Sequence, residues 1–342
     1  MILVVGLSGA ILVYAAPLNR ALHPELWDVK PGAERLGPDS VLALARSAHP
    51  ELNAIALTLP SDPTHPWTVR FQGGLMVYVD PYRGRVLGDH DERRSFTGVV
   101  EGLHTALLIG RPGLWAVVGS TIVLIVLLLT GYVLWWPRTK KESKRSFTIQ
   151  WRAGWKRFNY DGHNVIGFYA SGYLLLIALT GLLLSFPIFT RSVYRLTGAE
   201  RPPGPPRSAA VADSATPIAL GEAVGVAKGT DAGWEAVSIS VPTRRPQAIR
   251  VGLQRSGGEG PGRRVVFVDQ FSGERIRVDR PEDRSAVAKV LSLTFPIHGG
   301  DVLGWPTQVA AFVVSIVGGI LPLTGFIIWY PRWRAKRRRR RA

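Results

Sequence analysis

The sequence predicts an α-helical membrane protein with four transmembrane helices in two tandem repeats and two small α+β domains outside the membrane. Three observations lead to this fold class: long apolar runs without charge, two concentrated groups of basic residues, and a set of motifs that occurs twice in the 342 residues. The chain has no cysteine, which excludes disulfide frameworks, thiolate zinc sites, cysteine-ligated iron–sulfur clusters and cysteine nucleophiles.

Three uncharged apolar runs are long enough to cross a bilayer. They lie at 114–136, 165–189 and 309–330 and contain 23, 25 and 22 residues. A helix rises about 1.5 Å per residue, so each run exceeds the roughly 30 Å of the hydrocarbon core. A fourth run at 1–16 has the same character but is shorter. Because its Ser8-Gly9 matches a motif in the other runs, we interpret it as the last part of a first span that begins before Met1.

Most of the formal charge of +17 lies in two segments beside the apolar runs. Residues 138–157 hold eight basic side chains and one acid, and residues 332–341 hold eight basic side chains and no acid, which together account for +15. Basic residues next to spans stay in the cytoplasm, so both segments and both termini are predicted to be cytoplasmic, in a bacterial inner membrane. The charge therefore indicates topology, and we expect no nucleic-acid partner.

These assignments divide the chain into alternating membrane and water-exposed segments. The long polar segments are expected in the periplasm. The predicted order is a first span (1–16), an outer domain (17–103), a second span with a preceding histidine segment (104–137), a basic loop (138–162), a third span (163–189), a second outer domain (190–297), a fourth span with its histidine segment (298–331) and a basic tail (332–342).

The same motifs recur in both halves of the chain. Residues 130–138, TGYVLWWPR, align in residue type with residues 324–332, TGFIIWYPR. The outer segments repeat a strand, an Asp-x-x-x-Gly turn and a second strand, around Asp80 and Asp269. The chain is therefore predicted to contain two copies of a span, an outer α+β domain and a second span.

Three of the seven histidines lie at predicted membrane boundaries: His104, His163 and His298. His104 and His298 precede a Gly, a Pro and a Thr-Gly at identical spacings of six, eight and 26 residues. A two-fold repeat brings them toward a common axis on the outer side, where opposed imidazoles can ligate one iron. His163 begins the third span from the inner side, 17 residues before Thr180, and its counterpart in the first span would lie ten residues before Met1.

Two kinds of metal site are open to these histidines. A non-haem site would recruit carboxylates that are near them in sequence, namely Glu101, Asp161 and Asp301. A flat b-type haem between membrane helices is favoured over it, because glycines let a ring approach the backbone and a basic side chain can bind a propionate. The candidates for these contacts are Gly110, Gly167, Gly304 and Arg111.

The motifs around the histidines occur in a distinctive combination: Leu103-His104, Asp161-Gly162-His163-Asn164, residues 295–300 (FPIHGG) and the Leu-Thr-Gly spans. This combination, which covers essentially the whole chain, resembles the PepSY-associated transmembrane helix family. That family comprises iron-regulated inner-membrane proteins and includes ferric-siderophore reductases with two b haems, and the outer domains resemble its PepSY modules. The resemblance implies that His104, His163 and His298 ligate haem iron. It implies one or two b haems, because the family's first-span histidine has no counterpart in the sequence.

Two classes of function follow. The resemblance implies an oxidoreductase that carries electrons through haem b to a periplasmic ferric chelate, since Fe(II) binds hard oxygen chelators more weakly. No glycine-rich nucleotide motif follows a strand, so the electron donor, a quinol or a cytosolic reductase, would be a separate molecule. The alternative is a non-enzymatic PepSY-type binding, sensor or transport-accessory protein. Both classes contact membrane lipid, and a solute permease is disfavoured because the spans carry almost no charge.

Overall fold

The computed structural model describes residues 1–139, 146–209, 214–229, 233–256 and 263–340. The chain forms two compact units. The helical unit comprises Met1–Ala15, Phe96–Ala199 and Val290–Ala342, and the sheet unit comprises Ala16–Ser95 and Glu200–Lys289.

The elements follow one another in this order along the described chain: α1 (Ile2–Val13), α2 (Ala15–Leu22), a short 3-10 helix (Pro24–Trp27), α3 (Pro38–Ala48), β1 (Ala54–Thr58), β2 (Trp67–Phe71), β3 (Leu75–Asp80), β4 (Arg85–Asp91), α4 (Phe96–Ala106), α5 (Arg111–Trp135), α6 (Trp155–Ser185), α7 (Pro187–Thr197), α8 (Leu220–Lys228), β5 (Trp234–Ser240), β6 (Ile249–Arg255), β7 (Arg264–Val268), β8 (Arg275–Asp279), α9 (Ala286–Ser292), α10 (Thr294–Gly299) and α11 (Trp305–Arg339).

Three helices of the described chain are long and apolar enough to cross a membrane: α5, α6 and α11. The pair α1 and α2 meets the same criterion together, although the two helices are bent by 67°. Three of the four predicted spans thus correspond to single long helices, and the predicted first span at 1–16 falls mainly on α1. Apolar side chains of α5 such as Val133 and Leu134 are 70% and 81% exposed in the isolated chain, which implies contact with lipid.

The helix α6 begins ten residues before its apolar run. Its polar first turns are stabilised by an ion pair one turn apart, with Arg157 Nε 2.8 Å from Asp161 Oδ2. The helix ends at Ser185 because Phe186 precedes a proline and adopts an extended conformation, with φ at −142°. His163 therefore lies about two turns inside the helix, close to the start of its apolar run at residue 165.

The last helix, α11, also extends beyond its apolar run. It contains Pro322 and Pro331 and continues to Arg339, so the predicted boundary at residue 331 is not its end. Basic side chains in its last turn interact favourably with the negative end of the helix dipole.

The strands form one antiparallel sheet of eight strands in the order β4-β3-β2-β1-β5-β6-β7-β8. The sequence predicts two separate outer domains, whereas the structure joins their strands, because β1 pairs with β5 and Leu57 lies opposite Ile239. The order is symmetric about this central pair. An unpaired edge strand exposes a row of N–H and C=O groups, and the pairing of β1 with β5 satisfies one such row on each strand.

The core of the sheet unit lies between the sheet and the helices α3 and α8. Val41 of α3 and Ala223 of α8 are fully buried against strand residues such as Phe71 and Val251, which are fully buried too. Both halves of the sheet thus contribute to a single hydrophobic core.

The two Asp-x-x-x-Gly turns predicted from the sequence are confirmed. One carboxylate oxygen of Asp80, and one of Asp269, accepts hydrogen bonds from the N–H groups two and three residues later, at 2.8 to 3.2 Å. Gly84 and Gly273 close the turns with φ at +63° and +74°, a conformation that favours glycine. The same local chemistry therefore connects the last two strands of each half.

A carboxylate of the first half caps a helix of the second. Asp39 on α3 accepts hydrogen bonds from the backbone N–H groups of Leu220 and Gly221, both at 2.8 Å. These N–H groups begin α8 and have no partners within that helix. The contact fixes α8 beside α3 above the centre of the sheet.

Replacing Asp39 with Ala should loosen the beginning of α8. Loss of a helix cap costs about 1 kcal/mol, which corresponds to roughly fivefold faster hydrogen exchange if α8 opens locally. Exchange measured by mass spectrometry on peptides that cover α8 in the full chain tests this expectation. Ser40→Ala, at the exposed neighbouring position, is the control. Unchanged exchange of α8 in the Asp39 variant would contradict the proposed cap.

Candidate functional site

The structure brings together two of the three histidines singled out in the sequence. His104 lies on α4 and His298 on α10, the short helices that precede α5 and α11. Their ring centroids are 6.1 Å apart, and the ring planes are inclined by 63°. Two imidazoles that are 194 residues apart in sequence thus face one small volume in the helical unit.

Each imidazole is held through Nδ1 by a backbone carbonyl of a neighbouring helix. His104 Nδ1 lies 2.9 Å from the carbonyl oxygen of Val5 on α1, and His298 Nδ1 lies 3.0 Å from that of Ile177 on α6. A carbonyl oxygen can only accept, so Nδ1 carries the proton in both rings. Burial disfavours the doubly protonated, charged ring, which leaves a lone pair on Nε2. Histidines that ligate metals usually have this arrangement.

The two imidazole rings meet edge to face and bring two neutral nitrogen donors together from separate helices. The centroids of His104 and His298 are 6.1 Å apart. A b-type haem would take neutral imidazoles as its protein ligands, so the donor set of His104 and His298 suits that group.

A glycine lies against each of the two rings. A Cβ atom added to Gly9 would be 2.9 Å from His104 Cε1, and one added to Gly181 would be 3.0 Å from His298 Cε1. Any larger side chain at either position would displace the ring, because interiors leave no spare volume.

The glycines expected from the sequence to face a flat cofactor do not contact the histidines. Gly167 lies beside Leu321, and a Cβ on Gly110 or Gly304 would meet no described atom within 4 Å. Instead, both are the residues before α5 and α11 and have positive φ angles of 67° and 72°.

His163 contacts a different pair of helices. It lies on α6, and its Nδ1 is 2.8 Å from the hydroxyl oxygen of Thr324 on α11. Asn159 donates a hydrogen bond to the Thr324 carbonyl at 3.2 Å, one turn earlier on α6. Within the described ranges, no other histidine ring is in contact with that of His163.

The carboxylates considered for a non-haem site have other contacts. Asp161 is buried and paired with Arg157, and Asp301 accepts a hydrogen bond from the Gln308 side chain. In the part of the chain that the structure describes, no three His, Cys, Asp or Glu side chains are grouped so as to hold a metal ion. Among the described residues, His104 and His298 therefore form a pair without a grouped carboxylate.

Sequence reasoning missed the residues that hold the rings. It treated Ser8-Gly9 and the Thr-Gly pairs as a motif that recurs in the spans, whereas Ser8 Oγ and Thr180 Oγ1 lie 3.2 and 3.3 Å from the imidazole nitrogens of His104 and His298. The signal was present, since each predicted span has a Ser-Gly or Thr-Gly pair. Nothing in the linear spacing, however, says which histidine meets which pair.

The helix α1, whose Val5 and Ser8 contact the His104 ring, packs closely against α11. A Cβ atom added to Gly6 would lie 2.7 Å from the backbone nitrogen of Gly319 and 2.7 Å from the carbonyl oxygen of Ser315. Small residues of this kind let helix backbones approach closely in lipid. This backbone contact fixes the distance between α1 and α11. It therefore also fixes the positions of Val5 and Ser8 on α1.

Replacing Gly6 with Ala should destabilise the helical unit by about 1 to 3 kcal/mol, because the added methyl group overpacks a contact between two backbones. The matched control is Gly119→Ala on α5, where a Cβ would meet nothing within 4 Å. Thermal unfolding in detergent, followed by size-exclusion chromatography, compares the two variants. The interpretation fails if both melt at the temperature of the unaltered protein.

Comparison with known protein families gives one match. The family model described as the PepSY-associated TM region matches residues 1–332, a range that includes all three histidines. A search among curated proteins found no match.

Proposed function

The chain belongs to the PepSY-associated TM family of membrane proteins, and from this premise we propose that it carries electrons across the bacterial inner membrane through haem b. His104 and His298 are the proposed ligands on the outer side, and His163 is the proposed ligand of an inner haem. The proposed acceptor is a ferric chelate of the siderophore type in the periplasm. The observation that carries the proposal is the pair of Nδ1-bonded imidazoles with centroids 6.1 Å apart.

Bound haem supplies a one-electron couple at its iron. The chain holds two neutral imidazoles with Nε2 free, and the carbonyls of Val5 and Ile177 raise the basicity of those ligands through Nδ1. A more basic ligand stabilises the oxidised iron, so these carbonyls lower the reduction potential. The protein's part is therefore to orient the ligands and to tune the couple.

The proposed reaction balances as a transfer of single electrons. Each Fe(III) in the chelate gains one electron, and a quinol donor that reduces two of them loses two electrons and two protons. A cytosolic reductase is the alternative donor. Fe(II) is held less tightly by hard oxygen ligands, so reduction releases iron while the chelator stays intact.

The proposed direction of transfer follows from the charges. The basic segments at 138–157 and 332–341 favour a cytoplasmic position for the inner ends of the spans, and part of each segment lies outside the described residues. His104 and His298 precede α5 and α11, at the ends of these helices that are remote from the basic segments. The proposed outer haem therefore faces the periplasm. Electrons then enter on the side of His163.

A reduced-minus-oxidised absorption spectrum of the purified protein, expressed with adequate haem, tests the proposal. We expect the α-band of a six-coordinate b haem. Absence of that band would refute the reductase and leave the family's non-enzymatic binding or accessory role.

The histidine variants test the pairing. His104→Ala and His298→Ala should each remove the same spectral component, because a bis-imidazole site is lost with either ligand. The control is His65→Ala, in the sheet unit, where the imidazole is paired with Asp62 at 2.9 Å. The loss of different components by the two variants would contradict a shared iron.

Reduction of the acceptor is tested in liposomes that contain a reductant and the haem-loaded protein. An external ferric hydroxamate with a ferrous-specific dye should develop colour with the unaltered protein, and His298→Ala should reduce the rate at least about tenfold, as expected for loss of a cofactor site. Equal rates would show that iron reduction does not pass through His298.

A further inference from the structure

A Ser or Thr followed by Gly lies beside each of the three imidazoles singled out above. The residue pairs come from three different helices, α1, α6 and α11. The contacts are Ser8-Gly9 with His104, Thr180-Gly181 with His298, and Thr324-Gly325 with His163.

The hydroxyl groups are oriented to accept a hydrogen bond from the ring. Each donates its own proton to a carbonyl one turn earlier in its helix: Ser8 to Val4 at 2.7 Å, Thr180 to Leu176 at 2.8 Å, and Thr324 to Leu321 at 2.9 Å. The hydroxyl oxygen is then left to accept from imidazole Nδ1, at 3.2, 3.3 and 2.8 Å respectively. This arrangement favours the proton on Nδ1 in all three rings.

The glycines determine how deeply each ring sits. A Cβ on Gly9, Gly181 or Gly325 would lie 2.9, 3.0 or 3.2 Å from Cε1 of the ring that it faces. These separations are shorter than ordinary van der Waals contact, so an alanine would push the imidazole away from the adjacent hydroxyl. The hydroxyl oxygen thus contacts Nδ1 of the ring, and the glycine leaves space for the adjacent atom, Cε1.

The corresponding pair of α5, Thr130-Gly131, provides an internal reference. The Thr130 hydroxyl donates to the carbonyls of Val126 and Leu127 in its own helix, and it has no imidazole partner among the described residues. A Cβ on Gly131 would meet nothing within 4 Å. The same dipeptide is therefore compatible with a helix where no ring is held.

We infer that Ser8-Gly9, Thr180-Gly181 and Thr324-Gly325 are positioning residues that hold three imidazoles in the Nδ1–H tautomer with Nε2 free. The assignment of the tautomer rests on the contacts alone, and the consequence for bound haem rests on the proposed function. The residues do not touch the reacting atoms and act through the histidines.

The three positions should differ in how much they depend on the hydroxyl. His104 and His298 each have a backbone carbonyl as a second acceptor for Nδ1, whereas Thr324 is the one acceptor for His163 within the described residues. Removal of the hydroxyl therefore leaves the His163 N–H without a partner but leaves the other two rings with one.

Hydrogen exchange of the ring protons tests the tautomer. In the full chain labelled with 15N-histidine, in lipid nanodiscs and reduced so that any six-coordinate haem is diamagnetic, we expect three slowly exchanging Nδ1 protons. Thr324→Val should accelerate exchange at His163 by up to about tenfold, the equivalent of one hydrogen bond, and Thr180→Val should change His298 less. Thr324→Ser should restore slow exchange.

The matched control is Thr130→Val, which removes the same hydroxyl where no ring is held, and which should leave all three protons unchanged. The inference is overturned if Thr324→Val behaves as this control does, or if the protons reside on Nε2.

A second experiment measures the effect on the cofactor. In haem-loaded protein, Gly181→Ala should transfer the outer haem to apomyoglobin at least about tenfold faster than Gly131→Ala does, as is typical when the residues that orient a metal ligand are lost. Thr180→Val should raise the midpoint potential because the ligand becomes less basic, and Thr180→Ser should return it to the original value.

The two proposals fail in distinguishable ways. Unaltered protein without a haem band refutes the proposed function, and the exchange experiment then decides the inference in the haem-free protein. Haem that is bound but released equally fast from Gly181→Ala and Gly131→Ala refutes the positioning role and leaves the proposed function standing.

Discussion

A buried imidazole N–H that cannot reach water must find its acceptor in a neighbouring helix, and the helical unit is organised around this constraint. For His104 and His298 the acceptors are backbone carbonyls of α1 and α6, the helices that each short histidine helix packs against. A carbonyl is available only where a neighbouring helix comes close. The glycines on those helices permit this approach. The same glycines therefore allow both the short distance between the helices and the hydrogen bond that fixes the proton on Nδ1.

Much of the architecture could be predicted because it depends on residue patterns over short stretches of the sequence. Charge-free runs indicate the spans, and the equal spacing after His104 and His298 indicates that the two residues are equivalent. The Asp-x-x-x-Gly turns around Asp80 and Asp269 follow from side-chain to backbone hydrogen bonds that extend over three residues. Each of these signals depends on residues that are near one another in the chain.

The features that escaped prediction are contacts between distant segments. The union of the outer strands into one sheet depends on β1 meeting β5, about 180 residues later, and no motif marks an edge strand as paired or free. The helix α6 starts at Trp155, in a segment that composition alone assigns to a basic loop and where Arg157 pairs with Asp161. The assignment of a Ser-Gly or Thr-Gly pair to a histidine needs the helix arrangement in three dimensions.

The central pairing of β1 with β5 has a consequence for how such a sheet can arise. A sheet of four strands that ends at β1 would leave the backbone groups of that edge unpaired until a matching strand bound them. If the two sheets were separate molecules, this pairing would depend on their concentration. When both edges belong to one chain, the encounter becomes intramolecular, and its effective concentration is set by the intervening polypeptide. The two halves are then present in equal amounts by covalent linkage, and each can diverge without losing its partner.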